Sequence, residues 1–382
     1  MLISVNELKR FKRFATALFG RNLIKSHTMI GFYPQADGCT VFASNAGRSI
    51  QYDTIHNDEP NELTESVLLA PEILDQICQG DSEIRFSSVE STENGSRFTV
   101  SWHHGIVERR IEIDHTTPEP ISSSECKTTP VESRFLECLH DTANITDESS
   151  QRYALYCVQL DGTNGSVTAT DGAQLLRFSG FEFPWPEQSL LIRSNKLFML
   201  TEFTKLNEVS VGVEGDTFLL RAGSWKFATP IERDCRFPNV ENVIPVESAA
   251  SNRVQLDPKD CHVLATCVKL LPGDHEFNRP VTIDLNGHVA IVGQSAPRTT
   301  AGAAIILERS IHIGPNLRTS VDRDKLLRAI KMGATELLFR SNQPILARGS
   351  GMQFVCAPLS EINQEFEISQ MQQIRSTTTK IA

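Results

Sequence analysis

Residues 4–19 read SVNELKRFKRFATALF, and this stretch sets the pattern for the rest of the chain. Ser4 and Glu7 stand three apart, the spacing of a capping box that satisfies backbone N–H groups at a helix start. Leu8, Phe11, Phe14, Ala15, Leu18 and Phe19 fall on one arc at about 100° per residue. Lys9, Arg10, Lys12 and Arg13 fill the rest of the circle, and Arg21 follows at the end. The spacing predicts a helix with one buried face and one basic face.

Working outward, the signature returns at intervals of ~125 residues, the size of one small domain. Thr129-Pro130-Val131-Glu132 offers a cap, a proline at the first helical position and an acid at the third, ahead of Phe135, Leu136 and Leu139. Asp257-Pro258-Lys259-Asp260 repeats that logic ahead of Val263, Leu264, Val268 and Leu271. A second helix is predicted in each copy. Pro71-Glu72 opens one that carries Ile73, Leu74 and Ile77 and stops at Gly80. Ser194-Asn195-Lys196 leads into Leu197, Phe198 and Leu200. Asp322 caps a helix with Leu326, Leu327, Ala329 and Ile330, stopped by Gly333. Strand-like runs lie between the helices, with turns at Ala36-Asp37-Gly38, Asp161-Gly162 and Asn286-Gly287.

This pattern predicts an α+β chain of three repeated domains, each with two helices backed by sheets, at residues 1–116, 129–247 and 253–360. The polar run from His115 to Thr128 and a break at Glu247 to Asn252 separate them. Residues 361–382 form a polar tail with little apolar periodicity, expected to be mobile. Its proximity to Val355 suggests that it could fold over that region.

Composition excludes several classes. In 382 residues, 40% of them hydrophobic, each domain can bury a core. No apolar run approaches the ~20 residues that cross a bilayer. Met1 to Gly20 is basic but lacks a continuous apolar stretch, so it reads as part of the fold rather than a targeting peptide. Nine cysteines without a CxxC pair fit a reducing cytoplasm, not a disulfide framework or zinc site. The net charge of −10 argues against nucleic-acid binding only as an average, because charge can be unevenly distributed. Lys325, Arg328 and Lys331 share one side of the Asp322 helix, as the basic residues of the first helix do. A solvated face is the ordinary explanation. On repeated helices such faces could also follow phosphates without reading bases.

Three segments carry a family resemblance. Ala169-Thr170-Asp171-Gly172-Ala173-Gln174-Leu175, then Arg236-Phe237-Pro238-Asn239 with Val243-Ile244-Pro245, then Phe354-Val355-Cys356-Ala357-Pro358-Leu359 resemble, in order, conserved stretches of the bacterial DNA polymerase III beta subunit, the beta sliding clamp. Arg152-Tyr153-Ala154-Leu155 resembles its segment before the first of these. The resemblance spans about residues 1 to 360.

The resemblance implies three alike domains with antiparallel sheets, and a head-to-tail homodimer that closes into a ring around duplex DNA. It implies a non-catalytic, cytoplasmic processivity factor with no cofactor and no metal. Its partners would be double-stranded DNA bound without sequence preference, and polymerase, clamp loader and repair proteins bound through short peptides. The peptide groove would use Leu155, Thr170, Ala173, Leu175, Pro238, Val243, Val355 and Ala357. Ala173 and Ala357 stand where the family often has histidine and methionine, which alters the peptide preference. The DNA-facing set would be Lys9, Lys12, Arg13, Arg21, Tyr153, Lys325, Arg328 and Lys331. The ring joint would use Leu270 and Leu271 against the last strands of domain one, near Ile106 to Ile111, where Arg109-Arg110 is less apolar than the resemblance leads one to expect.

Two alternatives compete with this reading. His103-His104 and Asp171 could serve an enzyme, but no HExxH, GxSxG, Walker or Rossmann motif is present, and adjacent histidines on a strand point to opposite faces. A relative of the clamp that scaffolds proteins without encircling DNA is the second.

Overall fold

The computed structural model describes residues 1–20, 28–36, 38–55, 65–81, 83–92, 95–114, 127–150, 153–273, 279–294, 302–340, 343–359 and 366–377. Arg21, Asp37, Arg152 and the His115 to Cys126 part of the linker lie outside them. The chain forms two compact units: Met1–Asn144, Leu160–Gly165 and Phe181–Asp234; and Ile145–Gln159, Ser166–Gly180 and Cys235–Ala382.

In the first unit, helix α1 (Val5–Phe19) begins where the sequence places it. The Ser4 hydroxyl accepts the Asn6 N–H at 3.2 Å. Glu7 does not complete the box, because its carboxylate accepts the Tyr52 hydroxyl at 2.8 Å. The buried face is Val5, Leu8, Phe11, Phe14, Ala15, Leu18 and Phe19. Burial of each large side chain here contributes about 1.5–3 kcal/mol. Phe14 packs on Trp225 with ring centroids 4.8 Å apart. Helix α2 (Pro71–Ile77) buries Leu74 and Ile77. It ends at Cys78, and Gly80 is needed for space rather than as a cap: a Cβ there would lie 2.9 Å from the Trp102 ring.

One sheet of this unit runs in the order Leu2–Ser4, Glu83–Thr92, Gly95–His104, Val107–Asp114. The other runs Val67–Leu69, Ile30–Gln35, Gly38–Asn45, Arg48–Ile55, Trp225–Pro230, Thr217–Ala222, Val209–Glu214, Thr129–Pro130. Its middle is a junction between repeats, where Phe227 faces Ile50 and Trp225 faces Tyr52 across antiparallel strands.

Repeat two departs from expectation in both helices. Helix α3 (Phe135–Ala143) starts after Arg134, not at Thr129. Thr129 and Pro130 instead pair with Val211 and Ser210 at the sheet edge, where a proline costs no ladder bond. The Ser194 segment forms turns and a 3-10 turn, Phe203–Lys205, rather than an α-helix. Asn195 Oδ1 caps it by accepting the Leu197 and Phe198 N–H groups. The bonds that follow span three residues, from Leu200 to Leu197 and from Phe203 to Leu200.

In the second unit, α4 (Pro258–Cys267) and α5 (Arg323–Lys331) are capped as predicted. Asp257 accepts from Lys259 and Asp260, and Asp322 from Asp324 and Lys325. Gly333 ends α5 with φ +89°, and its N–H meets the Ile330 carbonyl. The two helices pack together. One sheet contains Ser166–Thr170, Gln174–Ser179, Met352–Cys356, Ile345–Gly349, Glu336–Phe339, Asn252–Gln255 and Ile311–Ile313 in that order. The other is Arg318–Asp322, Pro280–Asp284, Ala290–Gln294, Gly302–Ile306 and Gln372–Arg375.

The tail is corrected by this last strand. Gln372–Arg375 pairs in parallel with Gly302–Ile306, and Phe366, Ile368 and Met371 pack on Ala290, Val292, Ala304 and Ile306. Its described part is docked on that sheet, not folded over Val355.

Candidate peptide groove and basic helix faces

All eight predicted groove residues belong to the second unit. The register of its large sheet assembles part of the set. Thr170 faces Leu175, Leu175 faces Val355, Val355 faces Leu346 and Leu346 faces Leu338. Directly opposite residues in antiparallel strands share a face, so these five form one row across five strands. Thr170, Leu175, Val355, Leu346 and Leu338 are all buried. Of the other predicted groove residues, Leu155 and Pro238 are half-buried, and Ala173, Ala357 and Val243 are exposed, Val243 by 47%. At the far end a small cleft is lined by Pro245, Val246, Leu338, Phe339, Arg340 and Leu346, among others.

A polar turn fixes the near end. Gly172 has φ +88°, a conformation other residues avoid. Thr170 Oγ1 donates to the Gln174 carbonyl at 2.7 Å and accepts the Gly172 N–H at 3.0 Å. Asp171 Oδ1 accepts the Ala173 and Gln174 N–H groups, both at 2.8 Å. This is a structural turn, which accounts for Asp171 without catalysis. The Ala357 N–H reaches the Ala173 carbonyl, and the Ala154 N–H reaches the Arg236 carbonyl, so the segments quoted for the family resemblance are physically joined. Arg177 pairs with Glu241 and ties the Val240–Ile244 turn to the sheet. Burial pushes the Cys356 thiol up to about 12, so it is a packing group here.

On the basic face of α1, Lys9 and Arg13 are exposed and Arg10 and Lys12 half-buried, and the face is partly neutralised. Lys12 Nζ lies 2.9 Å from Asp75 of α2, and Arg13 and Arg10 both pair with Glu202, at 2.8 and 3.1 Å. Arg10 also lies over the Phe14 and Trp225 rings. Lys9 Nζ donates to the Gly80 carbonyl at 3.3 Å. On α5, Lys331 is exposed and Lys325 half-buried, while Arg328 donates to Gln174 Oε1 at 2.8 Å. Tyr153 is 60% exposed and has φ +53°. Of the two joint leucines, Leu270 is 73% exposed and Leu271 is buried. Ile106 is fully exposed at a hairpin turn, and Val107 beside it is exposed. His103 faces Glu108 across the strands, and His104 Nδ1 meets the Gln79 carbonyl at 2.7 Å.

No protein-family model matches the chain, and no curated protein matches it by sequence. Solved structures do. The DNA polymerase sliding clamp from Bacillus subtilis superposes with a TM-score of 0.74 at 16% identity, covering 94% of this chain and 98% of that one. This is the sliding-clamp fold. DNA polymerase III subunit beta from Borrelia burgdorferi gives 0.73 at 12% identity over 94% and 98% of the two chains. The clamp from Pseudomonas aeruginosa gives 0.71 at 17% over 94% and 99%.

Within this clamp fold the sequence missed Leu338 and Leu346, which extend the apolar row. Each stands in a short apolar strand, but only the register reveals that they join Val355 and Leu175. Glu202, which the sequence places between Lys196 and Lys205 with no sign of a role, is the counter-ion of α1.

Proposed function

We propose that the chain is a DNA sliding clamp: a head-to-tail homodimer that encircles duplex DNA and tethers polymerase and other replication or repair proteins without catalysing a reaction. One observation carries the reading. The same antiparallel junction is made twice within one chain, by Arg48–Ile55 with Trp225–Pro230 and by Gln174–Ser179 with Met352–Cys356. A chain that repeats one junction in register is left with one matching edge at each end, and a second copy satisfies both, as closed symmetry requires.

Domains at 1–116, 129–247 and 253–360 follow from the same repeat. Leu270, Leu271 and the Ile106 to Ile111 region are assigned to the joint. Lys9, Lys12, Arg13, Lys325, Lys331 and Tyr153 are assigned to the DNA-facing side, with Arg21. An exposed ion pair is worth only about 0–1 kcal/mol, so phosphates can displace Asp75 and Glu202 from the α1 cations. The apolar row and its rim, from Leu155 to Val243 and Ala357, suit an extended peptide with apolar side chains. No helix among the described residues is long and apolar enough to cross a membrane. A cytoplasmic site of action is proposed with this function.

Light scattering across a concentration series tests the assembly. The expected result is a mass of two chains at high concentration, with no larger species. A single chain at every concentration, both for the full chain and for a chain lacking residues 366–382, would remove the ring and leave the scaffold reading.

A further inference from the structure

The internal repeat specifies what belongs beside strand Gly302–Ile306. Arg48–Ile55 ends the run of strands that follows α1 in repeat one, and Gln174–Ser179 holds that place in repeat two. Each pairs antiparallel with the last strand of the next repeat, Trp225–Pro230 or Met352–Cys356. Gly302–Ile306 holds the place in repeat three, next to Ala290–Gln294. By the same rule its neighbour would be the last strand of repeat one, Val107–Asp114, from a second copy. That strand is the edge of its own sheet, exposed along much of its length and unpaired on its outer side among the described residues. Such an edge is a template for strand addition.

In this chain the place beside Gly302–Ile306 is taken. Gln372 faces Ala303, Ile374 faces Ile305 and Arg375 faces Ile306, in parallel. Phe366, Ile368 and Met371 cover Ala290, Val292, Ala304 and Ile306. Gly302 makes room for this: a Cβ there would lie 2.8 Å from Met371 Cε. The Glu308 N–H donates to Ser376 Oγ at 3.0 Å, and Arg375 Nη1 donates to the Glu308 carboxylate at 2.9 Å. The covered edge also adjoins the assigned joint. Leu271 packs on Gly293, which faces Ala303, which faces Gln372. Two strand spacings, roughly 10 Å, thus separate the tail from the strand under Leu271.

We propose that the segment Phe366–Ser376 is an intramolecular stand-in for a second copy: it caps the Gly302–Ile306 edge and competes for it with strand Val107–Asp114 of another chain. The proposal rests on the ring reading above. The tail pairs in parallel, which is slightly weaker per residue than the antiparallel pairing of both internal junctions, so an incoming copy can replace it. Ring closure is then gated by release of the tail, and any partner that holds the tail away promotes closure.

The test compares self-association of the full chain, a chain lacking residues 366–382, and full-length Met371→Asp, by sedimentation equilibrium. Release of the edge should tighten the two-chain equilibrium at least tenfold in both variants, with no growth beyond two chains. A peptide of residues 366–377 added to the truncated chain should reverse the gain. Unchanged association in both folded variants overturns the proposal, and so does growth into open-ended aggregates. If all three proteins form dimers equally, the tail's role falls and the ring stands. If none associates at any concentration, the ring reading falls with it.

Discussion

Arg328 and Gln174, separated by 154 residues in the chain, meet through a 2.8 Å hydrogen bond from the guanidinium to the amide oxygen. The Gln174 amide nitrogen donates in turn to Asp171 Oδ2 at 2.8 Å. A half-buried basic residue of α5 is therefore committed to the turn at the Thr170 end of the apolar row.

Arg328→Ala should lower stability by about 1.5–3 kcal/mol, the range for a hydrogen bond to a charged group, and weaken peptide binding. Urea denaturation and a peptide titration check this. The salt dependence of DNA binding should not change. A smaller salt slope with unaltered stability would mean that Arg328 serves phosphates instead.

Glu202 restrains two arginines of α1 at once, through Arg10 and Arg13. Glu202→Gln, alone or with Asp75→Asn, should strengthen DNA retention and steepen its salt dependence, because each freed phosphate contact adds roughly 0.9 to the slope of log K against log salt. Charge reversal at Lys9, Lys12 and Arg13 should do the opposite. Retention that ignores both sets would remove α1 from the DNA-facing surface.

Floor and rim of the groove should separate in mutagenesis. Leu175→Ala removes a side chain that is 2% exposed and should cost about 2–5 kcal/mol of stability. Val243→Glu alters an exposed side chain and should abolish peptide binding with little change in the unfolding midpoint. A Val243→Glu protein that still binds peptide at full affinity would place the binding surface elsewhere.

Docking of the tail should depend on pH. The Thr377 hydroxyl and then Arg375 hold the Glu308 carboxyl below its ordinary value. A carboxyl depressed in the docked state supports docking above its ordinary pKa, and that support is lost as pH falls through the lowered value. The methyl resonance of Met371 should move toward its position in the free peptide on acidification, and Glu308→Gln should shift it at neutral pH. A resonance insensitive to both would mean that apolar packing alone holds the tail.

What could be read in advance was local chemistry. The buried arc of α1 and the aspartate caps at 257 and 322 depend on neighbours within four residues, and all appear as expected. Thr129-Pro130 carries a genuine cap signature, but sheet pairing with Val211 and Ser210 overrides it. The Ser194 segment is too short for its apolar spacing to separate an α-helix from successive three-residue turns. In the apolar row, the segments 169–175 and 354–359 supply Thr170, Leu175 and Val355, whereas Leu338 and Leu346 depend on a register that no local pattern encodes. Phe366, Ile368 and Met371 fit neither a helical nor a strand period, so docking of the tail becomes visible only beside Gly302 and Ala304.

Topological capture is the claim on which the rest depends, and it is measured directly by trapping the protein on nicked circular DNA, washing at high salt, and then cutting the circle. An encircling clamp stays on the circle through the wash and leaves once the DNA has ends. Protein that washes off the intact circle, or that remains equally on cut DNA, contradicts the account.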